Sequence, residues 1–74
     1  MDTENLVKMA NQIAAFFRSE ASAEEAPLQV ASHLRKFWEP RMRATIIKHA
    51  AGGGAGLSDL AKSAVARLAA GDVG

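Results

Sequence analysis

The chain contains no cysteine and no tyrosine, and it has only two prolines among 74 residues. Without cysteine it can form neither a disulfide framework nor a thiolate metal site. No apolar run approaches the roughly 18–20 residues of a transmembrane helix. The acidic N-terminus also lacks the basic start and apolar run of a signal peptide. These absences favour a soluble, cytoplasmic protein with no membrane partner.

Side chains with catalytic chemistry are also scarce. His33 and His49 are the only two histidines, and neither stands three or four residues from the other or from a carboxylate, as a metal-binding helix face requires. The serines lie at helix caps or within helices, without a base placed to activate them. We therefore expect no catalytic, cofactor-binding or metal-binding residue in this chain.

Size and charge distribution both point to a binding role. A 74-residue chain forms at most one domain and buries only about 60–65% of its unfolded surface. Alanine supplies 16 of those residues, so the core is thin and stability is expected to come partly from a partner or a second copy. The net charge of +1 hides an acidic segment 1–25 and a basic segment 33–49. The basic segment could contact phosphates, an acidic protein surface or only water.

Apolar residues recur at helical spacing in four stretches, which predict helices over 3–19, 28–38, 40–51 and 58–70. No stretch alternates with period two. The prediction is an all-α fold, a small bundle of three to four short amphipathic helices forming a single domain over 1–74. The residues expected to face its core are Leu6, Met9, Ala10, Ile13, Phe16 and Phe17, then Val30, Leu34, Phe37 and Trp38, then Met42, Ile46, His49 and Ala50, and finally Leu57, Leu60, Ala61, Ala64 and Leu68.

Four glycines fall within residues 52–56. A phosphate-binding loop would need a preceding strand and a Gly-Lys-Ser/Thr ending, and both are missing. These glycines are instead expected to end one helix and form a flexible joint before the next. The last helix could then pack on the others or on another chain. Residues 71–74 are expected to be a frayed tail.

The most specific stretch is 37–43, Phe-Trp-Glu-Pro-Arg-Met-Arg. Pro40 pushes the residue before it out of helical geometry, which predicts a corner where one helix ends near Trp38 and the next begins. Arg41 and Arg43 enter a helix N-terminus, where the macrodipole disfavours positive charge. Local helix stability does not explain them, so a negatively charged partner is indicated.

Two further features extend the candidate interface. Ile47 falls outside the apolar stripe of its helix and beside Arg43, as an exposed docking residue would. Asn5 and Gln12 lie seven residues apart at the border of the first helical stripe, where they face either solvent or a second chain. The predicted partner-interface residues are Trp38, Pro40, Arg41, Arg43, Ile47, Asn5 and Gln12.

Two alternatives follow from the same residues. A nucleic-acid-binding helix-turn-helix would use Arg41, Arg43, Thr45 and Lys48, which is a thin basic face for that purpose, and the pI near 8.2 is low for such a domain. A homo-oligomeric helical module would supply the missing core.

Three segments resemble the delta subunit of soluble NAD-dependent molybdenum formate dehydrogenase. They are residues 6–13 (LVKMANQI), the corner 37–43 (FWEPRMR) and the joint 52–57 (GGGAGL), and they occur in the order and at the total length typical of that family. The corner is the specific part of the resemblance. Glu39 stands where aspartate is common in the family, which preserves the charge.

The resemblance implies a non-catalytic accessory subunit that binds and stabilises a cytoplasmic complex, mainly through the large alpha subunit. That complex interconverts formate plus NAD with carbon dioxide plus NADH. Its other subunits would carry the Mo-bis-MGD centre, the Fe-S clusters and FMN, with no cofactor bound by this chain. Nucleic acid is not an expected partner. The corner would act as a wedge with its aromatic half in the core and with Arg41, Arg43 and Ile47 facing the large subunit.

Overall fold

The structure is a computed structural model that describes residues 2–71. It contains four α-helices, α1 (Thr3–Glu20), α2 (Ala26–Phe37), α3 (Pro40–Ala51) and α4 (Asp59–Ala70), with no strand among the described residues. The predicted all-α bundle is thereby confirmed. Helix α2 begins two residues before the predicted start at 28. The predicted frayed tail extends through residues 72–74, which lie outside the described part of the chain.

Local sequence signals define where the first two helices begin. The Asp2 side chain accepts a hydrogen bond from the backbone N–H of Glu4 at 3.2 Å and so caps α1. Before α2, Ser22 Oγ accepts from the Glu25 N–H at 3.2 Å and donates to the Glu25 carboxylate at 3.2 Å. Only half of a capping box is present, because in a full one the Glu25 carboxylate would accept from the Ser22 backbone N–H, and Glu25 itself is the N-cap of α2. Pro27 then occupies the first turn of α2, where its missing N–H costs nothing.

The predicted corner between α2 and α3 is also present. Trp38 is extended, with φ −88° and ψ 141°, and its N–H still donates to the Leu34 carbonyl at 2.9 Å. Glu39 is extended as well, and Pro40 opens α3. Two extended residues thus redirect the chain. Trp38 is only 6% exposed and lies in the core, as predicted.

All four helices contribute to one hydrophobic core. Helix α4 packs most extensively against α2 and also contacts α1 and α3, so it belongs to the bundle. Six alanines are buried and leave room for the helices to approach closely, Ala10, Ala14, Ala26, Ala31, Ala61 and Ala64. The largest fully buried side chains are Leu6, Val30, Leu34, Ile46 and Val65.

Two phenylalanines predicted to be core residues are exposed. Phe16 is 59% exposed, because the buried stripe of α1 is centred on Leu6, Ala10 and Ala14 and not on its position. Phe37 is 72% exposed. It is the last residue of α2, and the extended backbone that follows turns the Trp38 side chain into the core in its place. The stripe predictions were wrong at these two positions.

Side chains of α1 and α3 hydrogen-bond to the backbone of the glycine joint. The Asn11 amide donates to the Gly56 carbonyl at 2.9 Å and accepts from the Ser58 N–H at 2.9 Å. His49 Nε2 donates to the Ala55 carbonyl at 2.8 Å. Ser58 in turn caps α4 by accepting from the Ala61 N–H at 3.2 Å. A hydrogen-bonded turn therefore replaces the predicted flexible joint, and it fixes where α4 begins.

Candidate partner interface

Arg43 is a structural residue of the corner. Its Nη1 donates a hydrogen bond to the backbone carbonyl of Arg35 at 2.9 Å, one of the last-turn carbonyls of α2 that lack a partner within the helix. A guanidinium beside a helix C-terminus also lies at the negative end of the macrodipole. This bond gives Arg43 a role within the fold, and its contact with a partner stays a prediction.

Arg41 differs from Arg43 in having an open guanidinium. It is exposed, and only its backbone carbonyl is used, as acceptor for the Thr45 hydroxyl at 2.9 Å. Within residues 2–71 no hydrogen bond or ion pair engages its side chain. Pro40, Arg35 and Lys36 are exposed nearby in sequence. Arg41 is thus the arginine of the corner that remains available to an outside carboxylate.

Trp38 and Ile47 are less accessible than an interface residue should be. Trp38 is buried in the core cluster, so it supports the corner from inside. Ile47 was predicted to be exposed, but it is half-buried and packs against the core. The expectation of an exposed Ile47 is therefore wrong, because the α3 face that carries it lies near α4. Ile47 lines a shallow cleft with Arg43, Arg35, Leu68 and Gly71.

The predicted interface residues are only partly brought together. Arg43 and Ile47 share the cleft just described. Asn5 lines a different one, beside His49 and Gly56 near the start of α1. Gln12 is exposed on α1 and lines neither of these two clefts. The corner at residues 37–43, called the basic corner below, and the two polar residues of α1, Asn5 and Gln12, therefore do not form a single site.

A row of aromatic rings crosses from α1 to α2. Helical periodicity had placed its three phenylalanines in the core. We call Phe16, Phe17, His33 and Phe37 the aromatic ladder. The ring centroids of Phe16 and Phe17 are 5.1 Å apart, those of Phe17 and His33 5.9 Å, and those of His33 and Phe37 4.7 Å. The first two pairs meet edge to face, a preferred aromatic geometry.

The aromatic ladder is anchored in the fold and open to solvent at both ends. Phe17 packs against the core, and His33 is half-buried. Among the large hydrophobic side chains in residues 2–71, only Phe16 and Phe37 are exposed. The adjacent Phe16–Phe17 pair and the four-residue spacing of His33 and Phe37 were visible in the sequence. Periodicity placed all three phenylalanines in the core, which is confirmed for Phe17 and wrong for Phe16 and Phe37.

The described residues offer no donor set for a metal. No group of three or more His, Cys, Asp or Glu side chains in residues 2–71 could hold an ion, and cysteine is absent from the sequence. What the surface does offer is two exposed aromatic rings, Phe16 and Phe37, with the exposed basic residues Arg35 and Lys36 directly before Phe37 in the chain. Such a combination suits contact with another protein.

Comparison with known proteins identifies a family for the chain. None of the four helices in residues 2–71 combines the length and the hydropathy that a membrane span requires. No match was found among curated proteins or among solved structures. A family model described as NADH-dependent formate dehydrogenase delta subunit FdsD matches residues 5–65, which include most of α1, the corner, the glycine joint and about half of α4. The chain therefore belongs to the NADH-dependent formate dehydrogenase delta subunit family.

Proposed function

We propose that this chain is a non-catalytic accessory subunit that binds and stabilises a cytoplasmic NAD-dependent formate dehydrogenase complex, mainly through its large catalytic subunit. The observation that carries the proposal is the family match over residues 5–65. A delta subunit is by name one component of a larger assembly. The role proposed here is to hold that assembly together.

The chemistry of the chain supports a role without catalysis. Mo-bis-MGD and Fe-S clusters need thiolate or comparable metal ligands, and the residues present do not fit either group, since cysteine is absent. His33 takes part in the aromatic ladder, and His49 holds the glycine joint. Oxidation of formate, reduction of NAD and the cofactors they require, FMN included, are accordingly assigned to the other subunits.

The basic corner is proposed as a docking surface for acidic side chains of the catalytic subunit. The segment 26–48 carries five basic residues and one acidic residue, a net charge of +4. Arg41 is its open arginine, and the planar guanidinium suits bidentate bonds to carboxylates. Arg43 and Trp38 contribute indirectly, because the Arg43–Arg35 hydrogen bond and the buried Trp38 ring hold the corner in shape.

Binding would stabilise both partners by mass action. A domain this small leaves little margin of stability. A partner that binds only the folded chain lowers the free energy of that state, and the chain does the same for whichever state of the complex it binds. An accessory subunit can therefore protect a large enzyme without touching its reacting atoms.

The test is to produce the remaining formate dehydrogenase subunits with and without the tagged full-length chain. The expected result is co-purification at fixed stoichiometry with formate-dependent reduction of NAD, and slower thermal inactivation when the chain is present. Recovery of the chain alone, or with nucleic acid in place of the enzyme, would contradict the proposal. Arg41→Glu is expected to weaken co-purification, whereas Lys8→Glu, an equal charge change at an exposed position of α1, serves as the matched control.

A further inference from the structure

The geometry points to the aromatic ladder, Phe16, Phe17, His33 and Phe37, as a second docking surface whose occupant is an apolar protein segment flanked by acidic side chains. The inference rests on the proposed function, because the segment is assigned to a subunit of the formate dehydrogenase complex. It adds to the proposed function an apolar contact surface, distinct from the charged surface at the basic corner.

Exposure is the first observation that supports a partner. Phe16 and Phe37 are 59% and 72% exposed, while the other large hydrophobic side chains in residues 2–71 are buried or half-buried. Single exposed apolar residues are common. Here, however, the two exposed rings are the ends of one continuous row on two different helices. A continuous aromatic surface is what the centre of a protein interface uses.

Rigidity is the second observation. Each ring of the ladder contacts the next at centroid distances between 4.7 and 5.9 Å, and Phe17 is fixed by packing on the core. Aromatic side chains have few rotatable bonds, so a row already held in place loses little conformational freedom when a partner covers it. The ladder is therefore preorganised for binding.

Charge specifies the partner. Helix α2 contains no acidic residue, and its last turn carries Arg35 and Lys36 directly before Phe37. Both are exposed, and within residues 2–71 no ion pair engages either of them. Glu39 follows Phe37 by two residues and is exposed, so residues 35–39 carry a net charge of +1. At the α1 end Glu20, four residues after Phe16, is exposed, whereas Arg18 lines a cleft on another side of the helix. The Phe37 end of the ladder is thus the positive end, and the complementary segment carries Asp or Glu beside the apolar residues that cover Phe37.

The first experiment measures binding of the full chain to the formate dehydrogenase complex prepared without it. The double variant Phe16→Ser/Phe37→Ser is expected to bind about tenfold more weakly or worse, with an unchanged salt dependence. Phe16→Leu/Phe37→Leu keeps the surface apolar and should retain most of the affinity. Unaltered thermal melting of both variants checks that they fold, as the exposure of the two rings predicts.

The outcomes separate the inference from the proposed function. If the serine variant binds like the wild type while Arg41→Glu weakens binding, the aromatic surface is not used and the proposed function stands. If the wild-type chain does not bind the complex at all, the proposed function fails, and the inference fails with it. If the serine substitutions instead abolish a self-association of the wild type, the ladder covers a second copy and the inference is overturned.

A second experiment identifies the occupant directly and does not depend on loss of affinity. A photoreactive benzoylphenylalanine placed at Phe37 should cross-link, in the assembled complex, to an apolar segment with Asp or Glu within a few residues. The same probe at Ala66, an exposed residue of α4, measures background labelling. Cross-links to a basic segment, to a second copy of this chain, or only at the background level would overturn the assignment.

Discussion

The guanidinium of Arg43 donates a hydrogen bond to the backbone carbonyl of Arg35 at 2.9 Å. The contact joins the first turn of α3 to the last turn of α2 across the Trp38–Glu39 corner. A residue selected from the sequence as a partner contact thus stabilises the fold itself. Because the donor is charged and the acceptor lies at a helix C-terminus, the bond also offsets the macrodipole of α2.

Arg43→Ala is therefore expected to lower the free energy of unfolding by about 1–2 kcal/mol, because hydrogen bonds from charged groups contribute about 1.5–3 kcal/mol and this one is exposed to solvent. Urea denaturation of the full chain would measure it. Arg41→Ala is the matched control and should change stability by less than about 0.5 kcal/mol, since its side chain is exposed. Equal stability of the two variants would mean that the Arg43–Arg35 contact contributes nothing.

The two neighbouring aromatics of the corner are expected to behave oppositely. Trp38→Ala should destabilise the chain by about 3–5 kcal/mol because the ring is 6% exposed in the core. Phe37→Ala should change stability by less than about 0.5 kcal/mol because its ring is 72% exposed. Thermal melting followed by circular dichroism measures both. A marked loss of stability in Phe37→Ala would show that the ring packs on the fold.

Helical periodicity predicted the number and order of the helices, and the proline predicted the corner, because both signals depend on neighbours along the chain. Burial at the ends of helices could not be predicted in this way. Phe37 has the spacing of a core residue, but its exposure is decided by where the backbone turns extended. Phe16 is exposed because the helices meet along the Ala10 and Ala14 side of α1, which periodicity does not specify.

The candidate site was predicted less well than the fold, for a related reason. Arg41 and Arg43 have the same side-chain chemistry and differ only in their neighbours in the folded chain. Only Arg43 donates a hydrogen bond to a carbonyl of α2. The hydrogen bonds of Asn11 to the glycine joint likewise join residues that are 45 and 47 positions apart in the chain. Such long-range hydrogen bonds leave no trace in composition or spacing.

Asn11 is expected to be the main stabilising contact of the glycine joint. Asn11→Ala removes the bonds to the Gly56 carbonyl and the Ser58 N–H and should cost about 1–2 kcal/mol, since two hydrogen bonds are lost at a surface site. Hydrogen exchange at the Ser58 amide should become faster. Gln12→Ala, at an exposed neighbour on the same helix, is the control. Unchanged exchange at Ser58 would contradict the assignment of Asn11.

Gly56 is expected to resist substitution, while Gly52 should tolerate it. Gly56 has φ +85°, and a Cβ there would lie 3.3 Å from Val7 Cγ1. Gly56→Ala should therefore destabilise by about 1–3 kcal/mol. Gly52 has φ −86°, and a Cβ would meet only ordinary contacts of 3.6 and 3.7 Å, so Gly52→Ala should be neutral or slightly stabilising. Chemical denaturation of both variants tests the contrast, which a similar cost for the two substitutions would refute.

Arg41 provides the sharpest test of how the basic corner acts. Exposed charges at the edge of an interface act mainly on the association rate and its salt dependence, and their fields reach only about 10 Å at 0.1 M salt. Arg41→Glu should therefore slow association with the delta-free complex at low salt by about tenfold, with a difference that shrinks as salt is raised. Surface plasmon resonance over a salt series would measure it. Lys8→Glu changes the net charge of the chain equally, so an equal slowing in that variant would mean that overall charge, and not the corner, steers binding.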